Sequence, residues 1–162
     1  MYSVGILTAS DKGATGERED LSAGAVREII DGLGWSVAAY RVVPDDLDVI
    51  IGALVEMVDR EGLDLLLTTG GTGFSPRDNT PEATRAVIEK EVPGIPEVMR
   101  AVSLQKTPRA MLSRAVAGIR SKTLIINLPG SQKAVRECLG AIVDSLPHGL
   151  EILSGKGGEC GS

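Results

Sequence analysis

Leu63-Asp64-Leu65-Leu66-Leu67-Thr68, running straight into Thr69-Gly70-Gly71-Thr72-Gly73, decides how this chain folds. The first part is apolar almost without a break, the composition of a strand covered on both faces, as central parallel strands are. The glycines that follow allow positive φ and close backbone approach, so the strand ends in a tight loop that a ligand can reach. Working back from it, Leu47, Ile50, Ile51, Leu54, Val55 and Val58 line one face of a helix that opens at Asp45 or Asp46 and stops at Gly62. Trp35 to Val43 reads as a strand ending at Pro44. Before it, Val26, Ile29, Ile30 and Leu33 mark another helix, closed by Gly34. Val4 to Thr8 is a short buried strand, followed by a polar loop from Ser10 to Asp20.

Downstream, Thr80-Pro81 combines an N-cap residue with proline at the first helical position, predicting a helix to about Lys90. Two short helices are expected next, broken at Pro93-Gly94-Ile95-Pro96 and at Thr107-Pro108. Val116 to Ile119 and Thr123 to Leu128 flank Arg120-Ser121-Lys122 and read as a hairpin that contributes one antiparallel strand. Val135, Cys138, Leu139, Ile142, Val143 and Leu146 define a last long helix. The order predicts a three-layer α/β/α fold with a mostly parallel, five-stranded sheet. Residues 1–154 are expected to form a single domain and 155–162 a flexible tail.

Composition narrows the function. The 162 residues suit one compact core, and with one Phe, one Trp and two Tyr that core is aliphatic. A net charge of −5 argues against nucleic-acid binding, which relies on Lys and Arg to neutralise phosphates. No apolar run is long enough for a membrane span and no export signal opens the chain, so the expected location is the cytoplasm. Cys138 and Cys160 have neither disulfide nor zinc spacing and are expected to be reduced thiols. The single His148 lies far in sequence from every glycine-rich loop, which argues against Ser/His or Cys/His catalysis.

In a sheet of this kind ligands sit beyond the carboxyl ends of the strands. Four loops qualify: Ser10 to Asp20, Pro44-Asp45-Asp46, Thr69 to Thr80, and Pro129-Gly130-Ser131. Thr69-Gly70-Gly71-Thr72-Gly73 offers amides and hydroxyls to an anion, although the same glycines also suit a plain turn. It is neither a Walker loop nor the dinucleotide fingerprint. Asp78 lies in a polar loop just ahead of a helix start, where an anion is welcome and a carboxylate can hold a metal. Asp45 taken alone reads first as a helix cap. Beside a phosphate cradle, however, two aspartates suit Mg²⁺-assisted phosphoryl or nucleotidyl transfer, in which charge neutralisation and positioning supply most of the catalysis. Ser131 and the Ser10-Asp11 pair each have a cap or turn role beside a ligand role. Arg114 and Lys133 read as solvated surface charges.

Thr69-Gly70-Gly71-Thr72-Gly73 with Pro76-Arg77-Asp78-Asn79-Thr80-Pro81-Glu82-Ala83 resembles the signature of the molybdopterin-binding domain shared by bacterial MogA and MoaB proteins and by the amino-terminal domain of gephyrin. Val43-Pro44-Asp45-Asp46, Met111-Leu112-Ser113-Arg114-Ala115, Ala117-Gly118-Ile119-Arg120 and Asn127-Leu128-Pro129-Gly130-Ser131 extend the resemblance over nearly the whole chain. Asn79 departs from it, at a position more often β-branched. The resemblance implies a molybdopterin adenylyltransferase of molybdenum cofactor biosynthesis, using Mg²⁺ and taking ATP and molybdopterin as substrates. It maps the catalytic and metal-holding role onto Asp45 and Asp78. It maps the pocket lining onto Gly70, Gly71, Thr72, Gly73, Thr80, Glu82, Ser103, Asn127, Pro129, Gly130 and Ser131, to which Thr69, Ser10 and Asp11 are added from their loops. A homotrimer, and contact with a molybdenum insertase, are further implications. A non-catalytic molybdopterin-binding carrier and a nucleotide or pyrophosphate hydrolase are the competing readings.

Overall fold

The computed structural model describes residues 1–157. Its elements are β1 (Ser3–Ala9), α1 (Asp11–Ala14), α2 (Leu21–Gly32), β2 (Ser36–Val43), α3 (Leu47–Glu61), β3 (Leu65–Thr69), α4 (Thr80–Val87), β4 (Lys90–Glu91), α5 (Gly94–Leu104), β5 (Ala117–Arg120), β6 (Thr123–Leu128), α6 (Gln132–Ile142) and α7 (Leu146–Leu153). One sheet runs in the order β2-β1-β3-β6-β5-β4. The β2, β1, β3 and β6 strands are mutually parallel, while β5 runs antiparallel to β6 and β4 antiparallel to β5.

Alternation along the strands divides the core in two. Leu65 and Leu67 of β3, with Val4 and Ile6 of β1 and Ile126 of β6, pack beneath α2, α5, α6 and α7. Leu66, with Leu7 and Ile125, faces the other way and meets Ile50, Leu54 and Met57 of α3 and Ala83 and Val87 of α4. All five residues of β3 are buried, as the unbroken apolar run requires. A side chain of this size contributes about 1.5–3 kcal/mol on full burial, so the two layers together outweigh any single polar contact.

The predicted three-layer fold is thus observed, with a sixth strand added. The helix expected to reach Lys90 ends at Val87, because the following residues bond to β5 instead: the Glu89 amide donates to the Ile119 carbonyl at 2.8 Å and the Val92 amide to the Ala117 carbonyl at 2.9 Å. Lys90 and Glu91 are exposed, so this two-residue edge strand has no alternation to reveal it. The expected last long helix is two helices joined by a 3-10 turn at Val143–Ser145. Pro147 explains the break, since it lacks the N–H an unbroken helix would bond back one turn. It instead occupies the first turn of α7, where that donor is not needed. Of the tail expected from residue 155, residues 158–162, including Cys160, lie outside the described residues.

Candidate functional site

The parallel strands deliver their carboxyl ends to one edge, where the loops after β1, β2, β3 and β6 enclose a cleft of about 220 Å³. At its floor the chain after β3 turns through Gly70 at φ +87° and Gly71 at φ +68°, a conformation costly for any residue with a Cβ. Space imposes the same choice. A Cβ on Gly70 would lie 2.6 Å from the Ala9 carbonyl oxygen, and one on Gly71 would lie 2.4 Å from Thr80 Oγ1. The turn is pinned by the Gly70 amide donating to the Leu128 carbonyl at 3.2 Å and the Thr80 amide donating to the Gly71 carbonyl at 3.2 Å.

Asp45 reaches this floor because it is not the cap of α3. Asp46 takes that role, its Oδ1 accepting from the Val49 amide at 3.1 Å. Asp45 instead shares a reciprocal pair of bonds with Asp11: the Asp11 amide donates to Asp45 Oδ2, and the Asp45 amide donates to Asp11 Oδ1, each at 3.0 Å. Burial pushes the Asp45 carboxyl above its ordinary range, opposed by the Asp11 amide and reinforced by the carboxylates of Asp11 and Asp78. Asp11 moves the opposite way, held below its ordinary range by the Arg77 guanidinium and then by the Asp45 amide. Asp78 lines the same cleft, with its Oδ2 accepting from the Ser75 amide at 3.0 Å.

Beside this polar cleft, across the Gly71-Thr72 peptide, lies a mainly apolar pocket of about 290 Å³ between α5, α6 and the segment before β5. The expected site residues divide between the two. Ser10, Asp45, Thr69, Gly70, Gly71, Asp78 and Gly130 line the cleft, and Thr72, Gly73, Ser103 and Pro129 line the pocket. Five others line neither. Asp11 faces Arg77 and Asp45, and Glu82 pairs with Arg114. Ser131 caps α6 by accepting from the Ala134 amide at 3.2 Å. Thr80 is buried beneath Gly71, its Oγ1 lacking a hydrogen-bond partner. Asn127 is fully buried, donating to Thr68 Oγ1 at 3.0 Å and Thr84 Oγ1 at 2.8 Å and accepting from the Val116 amide at 3.1 Å.

Arg114, which reads from the sequence as a solvated surface charge, and Arg77, which has no assigned role there, organise the loops. Arg114 Nε donates to the Gly73 carbonyl at 2.8 Å and Nη2 to the Asp78 carbonyl at 2.9 Å, while its amide donates to the Thr72 carbonyl at 2.9 Å. Arg77 donates to both carboxylate oxygens of Asp11, beside the cleft. Ser22, at the start of α2, was also missed; its hydroxyl donates to the Gly130 carbonyl at 2.6 Å. Among the described residues no group of three or more His, Cys, Asp and Glu is arranged to hold a metal, and no helix is long and apolar enough to cross a membrane.

A mostly parallel sheet covered on both faces, with a polar cleft at its strand ends, defines an α/β domain of the kind that takes a small molecule there. Residues 5–148 match the family described as "Probable molybdopterin binding domain", and the chain belongs to that family. It is 46% identical over 154 residues to a molybdopterin adenylyltransferase of Helicobacter pylori (strain J99), covering 94% of this chain and 88% of that one. It is 42% identical over 165 residues to gephyrin of Dictyostelium discoideum, covering 96% of this chain and 23% of that much longer protein. The crystal structure of the molybdopterin biosynthesis enzyme MoaB from Thermus thermophilus superposes with a TM-score of 0.91 at 56% identity, covering 96% and 98% of the two chains.

Proposed function

We propose that the protein is a molybdopterin adenylyltransferase, acting in molybdenum cofactor biosynthesis. The phosphate of molybdopterin attacks the α-phosphorus of ATP, a new P–O bond forms to the adenylyl group, and the bond to pyrophosphate breaks. The attacking phosphate is already anionic near neutral pH, so no strong general base is needed. The observation that carries this reading is the position of Asp45: with Asp46 capping α3, its carboxylate is spared for the cleft that Asp78 and the glycine turn also line.

The donor set fits a hard divalent cation. Mg²⁺ takes one or two carboxylates and completes its shell with phosphate oxygens and water, so an acidic pair, not a three-ligand cage, is what such a site needs. Asp45 and Asp78 would hold it, and the ion would neutralise charge on the phosphates as it develops. The chain supplies the rest. Gly70 and Gly71 let phosphate oxygens approach the backbone, and the amino end of α4 adds a favourable dipole. The apolar pocket beyond Thr72 receives a planar ring and excludes water around it.

On this reading residues 1–154 are one molybdopterin-binding domain, working in the cytoplasm as a homotrimer that hands its product to a molybdenum insertase, with no role for nucleic acid or membrane. The second reading is a non-catalytic molybdopterin-binding carrier, since the family description names binding alone. Pyrophosphate release from purified protein with ATP, Mg²⁺ and molybdopterin tests the first; release no faster than background rejects it. Pterin binding by calorimetry without turnover selects the second.

A further inference from the structure

Three loops that are distant in sequence meet at a small polar knot beside the cleft. Arg77 donates through Nε to Asp11 Oδ2 at 3.0 Å and through Nη2 to Asp11 Oδ1 at 2.7 Å. Asp11 Oδ1 also accepts the Asp45 amide, and the Asp11 amide returns a bond to Asp45 Oδ2, both at 3.0 Å. Two neighbouring carboxylates would ordinarily repel. Here each is held by the other's backbone N–H, and the Arg77 guanidinium supplies the compensating charge. The bond to Asp45 Oδ2 has a directional effect. With that oxygen tied to the Asp11 amide, Oδ1 is the one turned toward the glycine floor, 3.5 Å from where a Cβ on Gly71 would stand.

We propose that Arg77 and Asp11 form a positioning clamp that fixes the orientation of Asp45 and thereby aims its carboxylate into the cleft. This rests on the reading of Asp45 as a substrate- and metal-positioning group, and it makes Asp11 a support for that group instead of a ligand contact. The Arg77 and Asp11 side chains are 54% and 46% exposed, and ion pairs that open to water add little to stability. Their effect therefore falls on geometry more than on folding. The forked contact also requires arginine, since lysine carries the charge without the planar pair of donors.

The test compares R77Q, R77K and D11N with wild-type protein. Melting temperatures are expected to stay within about 4 °C of wild type, as for the loss of an exposed pair in a chain of this size. Exchange of the Asp45 and Asp11 amide hydrogens, followed by NMR, should accelerate about tenfold or more in R77Q. The kcat for pyrophosphate release should fall about ten- to a hundredfold with KM for ATP close to wild type, the signature of a misplaced group and not of lost binding. R77K should recover only part of that rate. Unchanged amide exchange in R77Q would overturn the clamp, as would faster exchange with an unchanged kcat, or full activity in R77K. A wild-type protein that releases no pyrophosphate would refute the adenylyltransferase reading separately, and the exchange measurement would still decide whether Arg77 holds Asp45.

Discussion

Replacing Gly71 by alanine should cost the protein a large share of its stability through two separable effects. The first is the backbone: at φ +68° a residue with a Cβ sits in the left-handed region, at about 1–2 kcal/mol. The second is the contact: the new methyl would stand 2.4 Å from Thr80 Oγ1 and 3.3 Å from Thr80 Cβ, and overpacking of this kind typically costs about 1–3 kcal/mol. Thr80 is fully buried and opens α4, so it has little room to retreat. The sum is about 2–5 kcal/mol, which in a chain of this length lowers Tm by roughly 5–15 °C. Urea denaturation monitored by circular dichroism measures it directly, as a shift in midpoint at constant m value. The double variant G71A/T80A separates the parts, because removing the hydroxyl relieves the contact while leaving the backbone strain; its loss should be smaller than the two single losses added. Gly52→Ala is the internal control. It lies in α3, nothing stands within 4 Å of its added methyl, and helix propensity predicts a gain of up to about 1 kcal/mol. A G71A protein that unfolds at the wild-type midpoint would refute the account of the turn, and a G52A protein as damaged as G71A would show that the measurement is insensitive to local geometry.

Three further outcomes are expected. Asp45→Asn and Asp78→Asn should each reduce pyrophosphate release by at least about tenfold while leaving the far-UV spectrum unchanged, and wild-type rates in both at limiting Mg²⁺ would remove the proposed carboxylate roles. Because folding raises the Asp45 carboxyl above its ordinary value, the folded state binds that proton more readily than the unfolded state. This group's contribution to stability therefore declines as pH rises through the window between the two values, so metal-free D45N should gain on wild type from acid to neutral pH; parallel stability curves would contradict this. Asn127→Ala strands the Val116 amide and two threonine hydroxyls in the core, which should lower stability by about 2–4 kcal/mol with KM for ATP unchanged; a KM effect without destabilisation would restore Asn127 to the binding surface.

Periodicity is why so much of the fold was legible. The apolar stripe of α3 and the unbroken run of β3 repeat at spacings that only one kind of element can bury, and the topology follows from their order. Where the reading fell short, the deciding contact was remote. Asp45 and Asp46 are equally good caps in sequence, and only the path of the chain after β2 leaves Asp46 with the Val49 amide. Nothing in Lys90-Glu91 announces a strand, since β5 provides the partner. The candidate loops were chosen as those at strand ends, and a motif does not say which of its members face outward. Asn127 lies close to Pro129 and Gly130 in the chain but sits inside β6, which is buried on both faces, so its side chain is spent on Thr68 and Thr84 and not on the cleft. The bonding roles of Arg77 and Arg114 could not be read because a charged side chain in a loop carries no periodic signal, and their partners lie 66 and 32 to 41 residues away.

The attachment of Arg114 to the carbonyls of Gly73 and Asp78 bears on any attempt to move this cleft into another protein. Copying residues 69–82 onto the end of a host strand would transfer the glycines and the acid but not the cation that gives that segment its curvature. A successful graft would need further, non-contiguous inserts, one carrying the arginine and others the loops with Ser10, Asp45 and Gly130, each registered to within a hydrogen-bond length of the first. The smallest portable unit is therefore defined by a contact pattern and not by any continuous stretch of chain.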